Sequence, residues 1–351
     1  MRLRASSEHA KKALGQIEGL QEHFREELDR QLLSAPASGP SSAASWQSIE
    51  WLRDKGSHGG GSRYARTGDA YFNRASINVS QVHYEDMPEK PLGSASALSA
   101  IVHPAPPAMP SLHLHISYTE RKEETGYWRI MADLNPSHPN ADETQSFRDV
   151  LRQAAGPHFE YAEEQGAQYF WIPTLRRHRG SAHFYLENFR DGGFDADTQF
   201  AAQVARDVID WYAARLGTLA HKPRSVEEGG TRRQLAYHTA YFFQVLTLDR
   251  GTTSGLLVHD QNDVGILGSL PARIDRDLLA EWIPHLVPPQ NELVEALWDA
   301  LPDQNPCPID DEMRGILAKI VRTHYRKHKE ALKLQAAGFT VPPTVENHKN
   351  T

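Results

Sequence analysis

The sharpest pattern in the chain is the strict alternation from Leu112 to Tyr118. Leu112, Leu114, Ile116 and Tyr118 hold one parity, and His113, His115 and Ser117 hold the other. Successive side chains of a strand leave opposite faces of a sheet, so this segment predicts a strand with one apolar face and one face carrying two imidazoles and a hydroxyl. The block around it, residues 99–136, supplies two or three further strands. AYFNRASINVSQVHY (70–84) alternates and is rich in aromatic and β-branched residues, which also predicts a strand. HFYLENF (183–189) reads as another, and the apolar run YFFQVLTL (241–248) as a buried one. GLLVHDQNDVGILGSLP (255–271) reads as a hairpin or edge strand.

Helical spacing is equally plain elsewhere. Leu14, Ile17, Leu20, Phe24, Leu28 and Leu32 predict an amphipathic helix over about residues 8–33. Further helices are expected over 144–155, 196–216, 278–301 and 312–337. Strands and helices do not alternate regularly, so the expected class is α+β: a large antiparallel sheet flanked by helices on both faces. APASGPSSAAS (35–45) reads as a flexible joint. It divides an N-terminal helix (1–45) from the main domain (46–301), with a helical extension over 302–351. The glycine-rich GSHGGGSR (56–63) reads as a turn or mobile loop; a phosphate cradle is disfavoured because no Walker lysine follows.

Composition narrows the setting. Lys and Arg number 38 against 45 Asp and Glu, a formal charge of −7, with no dense basic block. Nucleic acid and anionic membrane surfaces are therefore not expected partners. Cys307 is the one cysteine, so neither an internal disulfide nor a thiolate metal cluster is possible. That usage and the lack of a long apolar run fit a reducing, cytoplasmic setting without a membrane span.

The His113/His115 face admits three readings. Two imidazoles on one side of a strand, with a carboxylate, suit Fe, Cu or Mn; the ligands would be His113 and His115 with one of Asp133, His103, His178 or His183. Metal-free proton transfer by His113 near neutral pH, with Asp133 orienting the substrate, is the second. Histidines that only bond backbone groups are the third. Asp133 could equally open an Asx-turn. Arg176, Arg177 and Arg179 form either an anion-attracting cluster or a solvated turn. Asp249 and Arg250 are expected to pair within a turn, with Arg250 a possible carboxylate ligand.

Seven motifs, in order, resemble those of the oxygen-dependent coproporphyrinogen III oxidases. They are GGGSRYARTGDAYFNRASINVSQVHYEDMP, SAIVHPAPPAMPSLHLHISY, WRIMADLNP, YFWIPTLRRHRG, HFYLENF, FFQVLTLDRGTTSGL and ILGSLP. The resemblance implies a homodimer, formed through a sheet edge and the DRGT region. It also implies a cleft in which a propionate side chain is decarboxylated to vinyl by O2, without an organic cofactor. Ser99 falls at a substrate-binding serine. His103, His113 and His178 fall at histidines assigned to a metal, with His113 also a proton donor. Asp133 falls at an essential aspartate that holds pyrrole N–H groups.

The departures from the family pattern are as informative. Ser117 stands where the family has an arginine, and His115 where it has an asparagine. Arg129, Ile130 and Met131 replace glycines, Gln145 and Phe147 replace two histidines, and VHDQND (258–263) replaces a glycine–arginine turn. A tetra-acidic porphyrinogen needs several cations to match its carboxylates. The expectation is therefore an O2-dependent oxidase or oxidative decarboxylase acting on a non-porphyrin, carboxylate-bearing small molecule. His113 and Asp133 would be catalytic, and Ser99, His115, Ser117, Arg179 and Arg250 would bind substrate. The alternatives are a genuine aerobic coproporphyrinogen III oxidase of haem biosynthesis and a non-catalytic protein binding a tetrapyrrole-like metabolite.

Overall fold

The computed structural model describes residues 2–33, 45–68, 70–221, 229–343 and 347; nearly all of the expected joint at 35–45 lies outside them. Helix α1 (Glu8–Leu33) precedes a seven-stranded antiparallel sheet. Its spatial order is β1 (Gln47–Leu52), β2 (Gly59–Thr67), β3 (Phe72–His83), β4 (Leu92–Pro104), β5 (Ser111–Arg121), β6 (Tyr127–Asn135) and β9 (Ala182–Phe189). Helices α2 (Ala141–Ala155) and α3 (Phe159–Tyr169) and a small ladder of β7 (Trp171–Ile172) with β8 (Arg177–His178) fill the connection from β6 to β9. No helix among the described residues is long and apolar enough to cross a membrane.

One face of the sheet is closed by α1 and α4 (Phe194–Ala220). Leu112, Leu114 and Ile116 of β5 meet Ile17, Leu20 and Phe24 of α1 in one apolar cluster, all at most 1% exposed. The other face is roofed by the second half of the chain: α5 (Gly230–Thr247), α6 (Arg250–Val258), α7 (Asp263–Ile266), α8 (Arg276–Trp282), α9 (Gln290–Ala300) and α10 (Asp311–Lys327). Their cluster joins Phe242 and Leu246 of α5 to Leu317 and Val321 of α10 and touches the sheet at Ile101. The extension after residue 301 thus shares its core with the helices before it.

Five expectations are corrected. YFFQVLTL is the end of helix α5, not a strand. Every residue from Tyr237 to Thr247 is buried, so no polar stripe marks the helical period, and a short apolar run cannot distinguish the two structures. Residues 255–271 hold no strand either: they contain the end of α6, helix α7 and a 3-10 turn over Leu267–Ser269, and Asp249 caps α6 by accepting a hydrogen bond from the Thr252 amide at 2.7 Å. The helix expected over 278–301 is two, broken near Pro284 and Pro288–Pro289, and the one over 312–337 ends at Lys327 and continues as a short 3-10 turn. The glycine-rich stretch is a turn only over 56–58; Gly59 to Arg63 begin strand β2. A Cβ on Gly61 would lie 2.3 Å from the Val79 carbonyl oxygen and 2.5 Å from the Trp51 indole nitrogen, so glycine lets three strands and an indole pack together.

Candidate functional site

The antiparallel register assembles the site. His113 of β5 lies opposite Asp133 of β6, and His183 of β9 lies on the far side of Asp133. On the other flank Ser99 lies opposite His115 and Ile101 opposite His113. All share the face turned away from α1.

His113 Nδ1 is 2.6 Å from Asp133 Oδ1. Arg179 clamps the same carboxylate, Nη2 donating to its two oxygens at 2.7 and 2.6 Å and Nε donating at 3.2 Å. Asn135 Nδ2 adds a bond to Oδ2 at 2.6 Å. The remaining arm of Arg179 donates to Gln244 of α5 at 2.6 Å, tying sheet to roof. Its guanidinium also lies 4.4 Å from the Phe170 ring centre and 4.8 Å from that of Tyr241.

Asp133 is fully buried. Burial by itself would raise its pKa, but Arg179 and then His113 outweigh it and hold the carboxyl far below the usual range. Burial likewise opposes the charge on Arg179, and Asp133 overrides it, so the pair stays ionised. A charged acceptor at Nδ1 selects the tautomer with the proton there and leaves Nε2 available. The His113 side chain keeps 18% of its surface exposed and lines the cavity.

His115 is held differently. Its Nδ1 is 2.8 Å from Ser99 Oγ and its Nε2 is 3.0 Å from Ser117 Oγ. Burial, reinforced by Arg129 and His113, pushes its pKa well below that of an ordinary imidazole, so the ring is neutral. His103 is fully buried, with Nδ1 3.1 Å from Ser111 Oγ and Nε2 3.1 Å from the Ser269 carbonyl. His178 sits on the exposed β8 ladder, its ring centre 5.0 Å from that of Trp171.

The expected metal set of His103, His113, His115 and His178 is therefore not gathered around one point. Three of these rings are committed to other groups, and His178 lies outside the cavity wall. Among the described residues, the one group of three His, Cys or carboxylate ligand atoms within 4.8 Å of one another is His23, Glu27 and Asp210, on the α1–α4 layer. The residues present on the sheet face do not fit a three-ligand metal centre.

Two further expectations change. Arg250 does not reach the cavity: its Nε and Nη2 donate to the carbonyls of Ala336 and Leu332 at 2.9 and 3.1 Å. Asp249 does not pair with it but caps α6 and accepts from Tyr169 Oη at 3.1 Å. The DRGT turn is thus engaged inside the chain. Arg179, expected to bind substrate, lines the cavity with its guanidinium clamped on Asp133, and Asp133 lies in mid-strand rather than in a turn.

The cavity measures about 320 Å³. Small side chains of β3–β5 (Ser76, Ser80, Ala95, Ala97, Ser99, Ser117) leave the room, and the α5–α7 segment roofs it. Among the described residues its lining holds two Lys or Arg side chains, Arg129 and Arg179. Arg129 donates to Glu187 at 3.0 Å, and Glu187 also accepts from the Tyr185 hydroxyl. Burial opposes that guanidinium's charge, and Glu187 keeps its pKa above the ordinary value. Both cations thus already hold a carboxylate of the protein. Sequence reasoning missed Glu187, Tyr185 and Tyr127, although the two-residue period of β6 and β9 puts them on the face of Asp133.

Comparison with known proteins adds a family. A family profile described as coproporphyrinogen III oxidase matches residues 20–298. An oxygen-dependent coproporphyrinogen-III oxidase of Rickettsia akari (strain Hartford) is 26% identical over 238 residues, covering 64% of this chain and 82% of the relative.

Proposed function

The chain belongs to the coproporphyrinogen III oxidase family, and from that premise we propose that its cavity performs an O2-dependent oxidative decarboxylation of a small carboxylate-bearing substrate other than a porphyrinogen. In such a step a –CH2–CH2–COO⁻ side chain loses CO2 and one hydrogen from its β-carbon and becomes a vinyl group. O2 takes the two electrons and, with that hydrogen and one proton from solvent, leaves as H2O2. The observation that carries the reading is the His113–Asp133–Arg179 arrangement at the cavity wall. Nε2 of His113 exchanges the proton that the balance requires, and Asp133 and Arg179 hold the ring and its tautomer. No step is routed through a metal.

The substrate class follows from charge and size. A cavity of about 320 Å³ is at the lower end of the range for small-molecule sites, about 300–1,000 Å³. Its two cations are matched by Asp133 and Glu187, so four additional carboxylates would be buried without partners, which is strongly unfavourable. One carboxylate can be received by hydroxyl donors such as Ser99 and Ser117.

The name of the Rickettsia akari relative favours a second reading, in which coproporphyrinogen III itself is the substrate. One assay separates the two. Purified protein is given coproporphyrinogen III or a single-ring pyrrole propionate, in air and under argon, and CO2 and H2O2 are measured. We expect CO2 only in air and only from the single-ring compounds, with His113→Ala lowering the rate by about 10²–10⁴. Vinyl product from coproporphyrinogen III at a comparable rate would install the second reading. No O2-dependent CO2 from either would leave a non-catalytic metabolite-binding protein.

A further inference from the structure

The family match ends at residue 298, yet the chain continues for more than forty described residues. Their path leads back to the cavity. Tyr325 Oη donates to the Thr247 carbonyl at 2.7 Å, Gln335 Nε2 to Thr253 Oγ1 at 2.6 Å, and the Ala336 amide to the Leu248 carbonyl at 2.9 Å. With the two bonds from Arg250, they anchor residues 325–336 to the α5–α6 turn, whose Asp249, Gly251 and Thr252 line the cavity.

From there the chain crosses α3. Gly338 passes so close to Gln165 that a Cβ would sit 2.4 Å from its Cγ, and the Phe339 ring centre is 5.4 Å from that of Tyr161. Pro342 and Asn347 then form part of the cavity lining itself. Both are buried, and Asn347 Nδ2 donates to Tyr127 Oη at 3.2 Å, at the start of β6. An amide side chain sealed in this way is costly unless it is hydrogen-bonded, and here its partner is a cavity-lining phenol.

We propose that Pro342 and Asn347 are specificity-determining residues: the extension beyond the family match is a wall of the substrate cavity that restricts it to single-ring substrates. The wall presents an amide and a phenol at its end of the cavity. A substrate reaching that end meets neutral donors and acceptors, so an uncharged polar group is favoured there over a second carboxylate. This rests on the decarboxylase reading only for the identity of the substrate; exclusion of a large ring is a statement about shape.

The test reads binding, not turnover. Coproporphyrin III, a fluorescent tetra-acid, is titrated into three proteins: the full chain, the full-length double variant Pro342→Gly/Asn347→Gly, and a chain ending at residue 337. We expect weak binding to the full chain and affinity higher by about tenfold or more in the two altered proteins. Thermal unfolding reports whether the shortened chain keeps its fold, and the double variant decides if it does not. Equal affinities in folded proteins, or tight binding to the unaltered chain, would overturn the proposal. Failure of the CO2 assay with small substrates leaves this result untouched, so the two readings fail separately.

Discussion

The two faces of one sheet are built from alternate residues of the same strands, yet they do opposite work. On the α1 face, Leu98, Leu114 and Ile116 interlock with helix side chains and leave no exposed surface. On the other face, Ala97, Ser99 and Ser117 are too small to reach the roof, and the gap they leave is the cavity. Space for a ligand arises here from short side chains on a rigid sheet rather than from a loop. The polar face also holds its charges in matched pairs, Asp133 with Arg179 and Glu187 with Arg129. The apolar face needs no such matching. It follows that the first face should fail by cavity formation, and the second by loss of a charge partner.

The largest effect should come from breaking a pair. Arg179→Met leaves the fully buried Asp133 carboxylate without its main counter-charge, and a loss of about 3–5 kcal/mol is expected in urea unfolding. Adding Asp133→Asn should return part of it. A loss below about 1 kcal/mol would show that the pair contributes little to folding.

Neighbouring residues of β4 test the contrast directly. Leu98→Ala opens a hole in the apolar cluster and should cost about 2–5 kcal/mol. Ala97→Leu adds volume on the cavity side and should change stability by less than about 1 kcal/mol while abolishing substrate binding. The contrast breaks if both positions respond alike in unfolding experiments.

Acid should act through the polar side. Burial lowers the pKa of His183 to about 4 and that of His238 to about 3, from an ordinary 6.5. The unfolded chain therefore binds protons first as pH falls. Stability should be full above pH 6.5 and decline through about 4, with each group contributing up to about 1.4 kcal/mol per pH unit. His183→Gln should flatten that decline, and unchanged unfolding midpoints from pH 7 to 4 in the parent chain would sink the prediction. The smallest expected effect belongs to Ser117→Ala, which removes one hydroxyl from His115 and should cost about 1 kcal/mol by thermal unfolding.

Much of this was legible in the alternation and the helical spacing. The period of two in β5 puts His113 and His115 on one face, and the pairing of β5 with β6 puts Asp133 beside His113. Helices α1 and α4 followed from their apolar stripes. Helix α5 did not, because a helix buried on every side carries no stripe. The three glycines of β2 read as a turn, because a sequence does not display the carbonyl and indole that crowd them. Arg179 reads as a substrate-binding member of a cluster that either attracts anions or forms a solvated turn, and nothing local shows that its partner is Asp133.

The sequence by itself determined which residues share a face and which helices could form, because those properties repeat over a few residues and depend on local geometry alone. Tertiary structure alone decided that Arg179 meets a carboxylate 46 residues away, that Arg250 turns to the C-terminal carbonyls, and that Asn347 closes on Tyr127. Such contacts depend on how distant elements dock, and docking is set by the whole core rather than by any stretch of neighbouring residues.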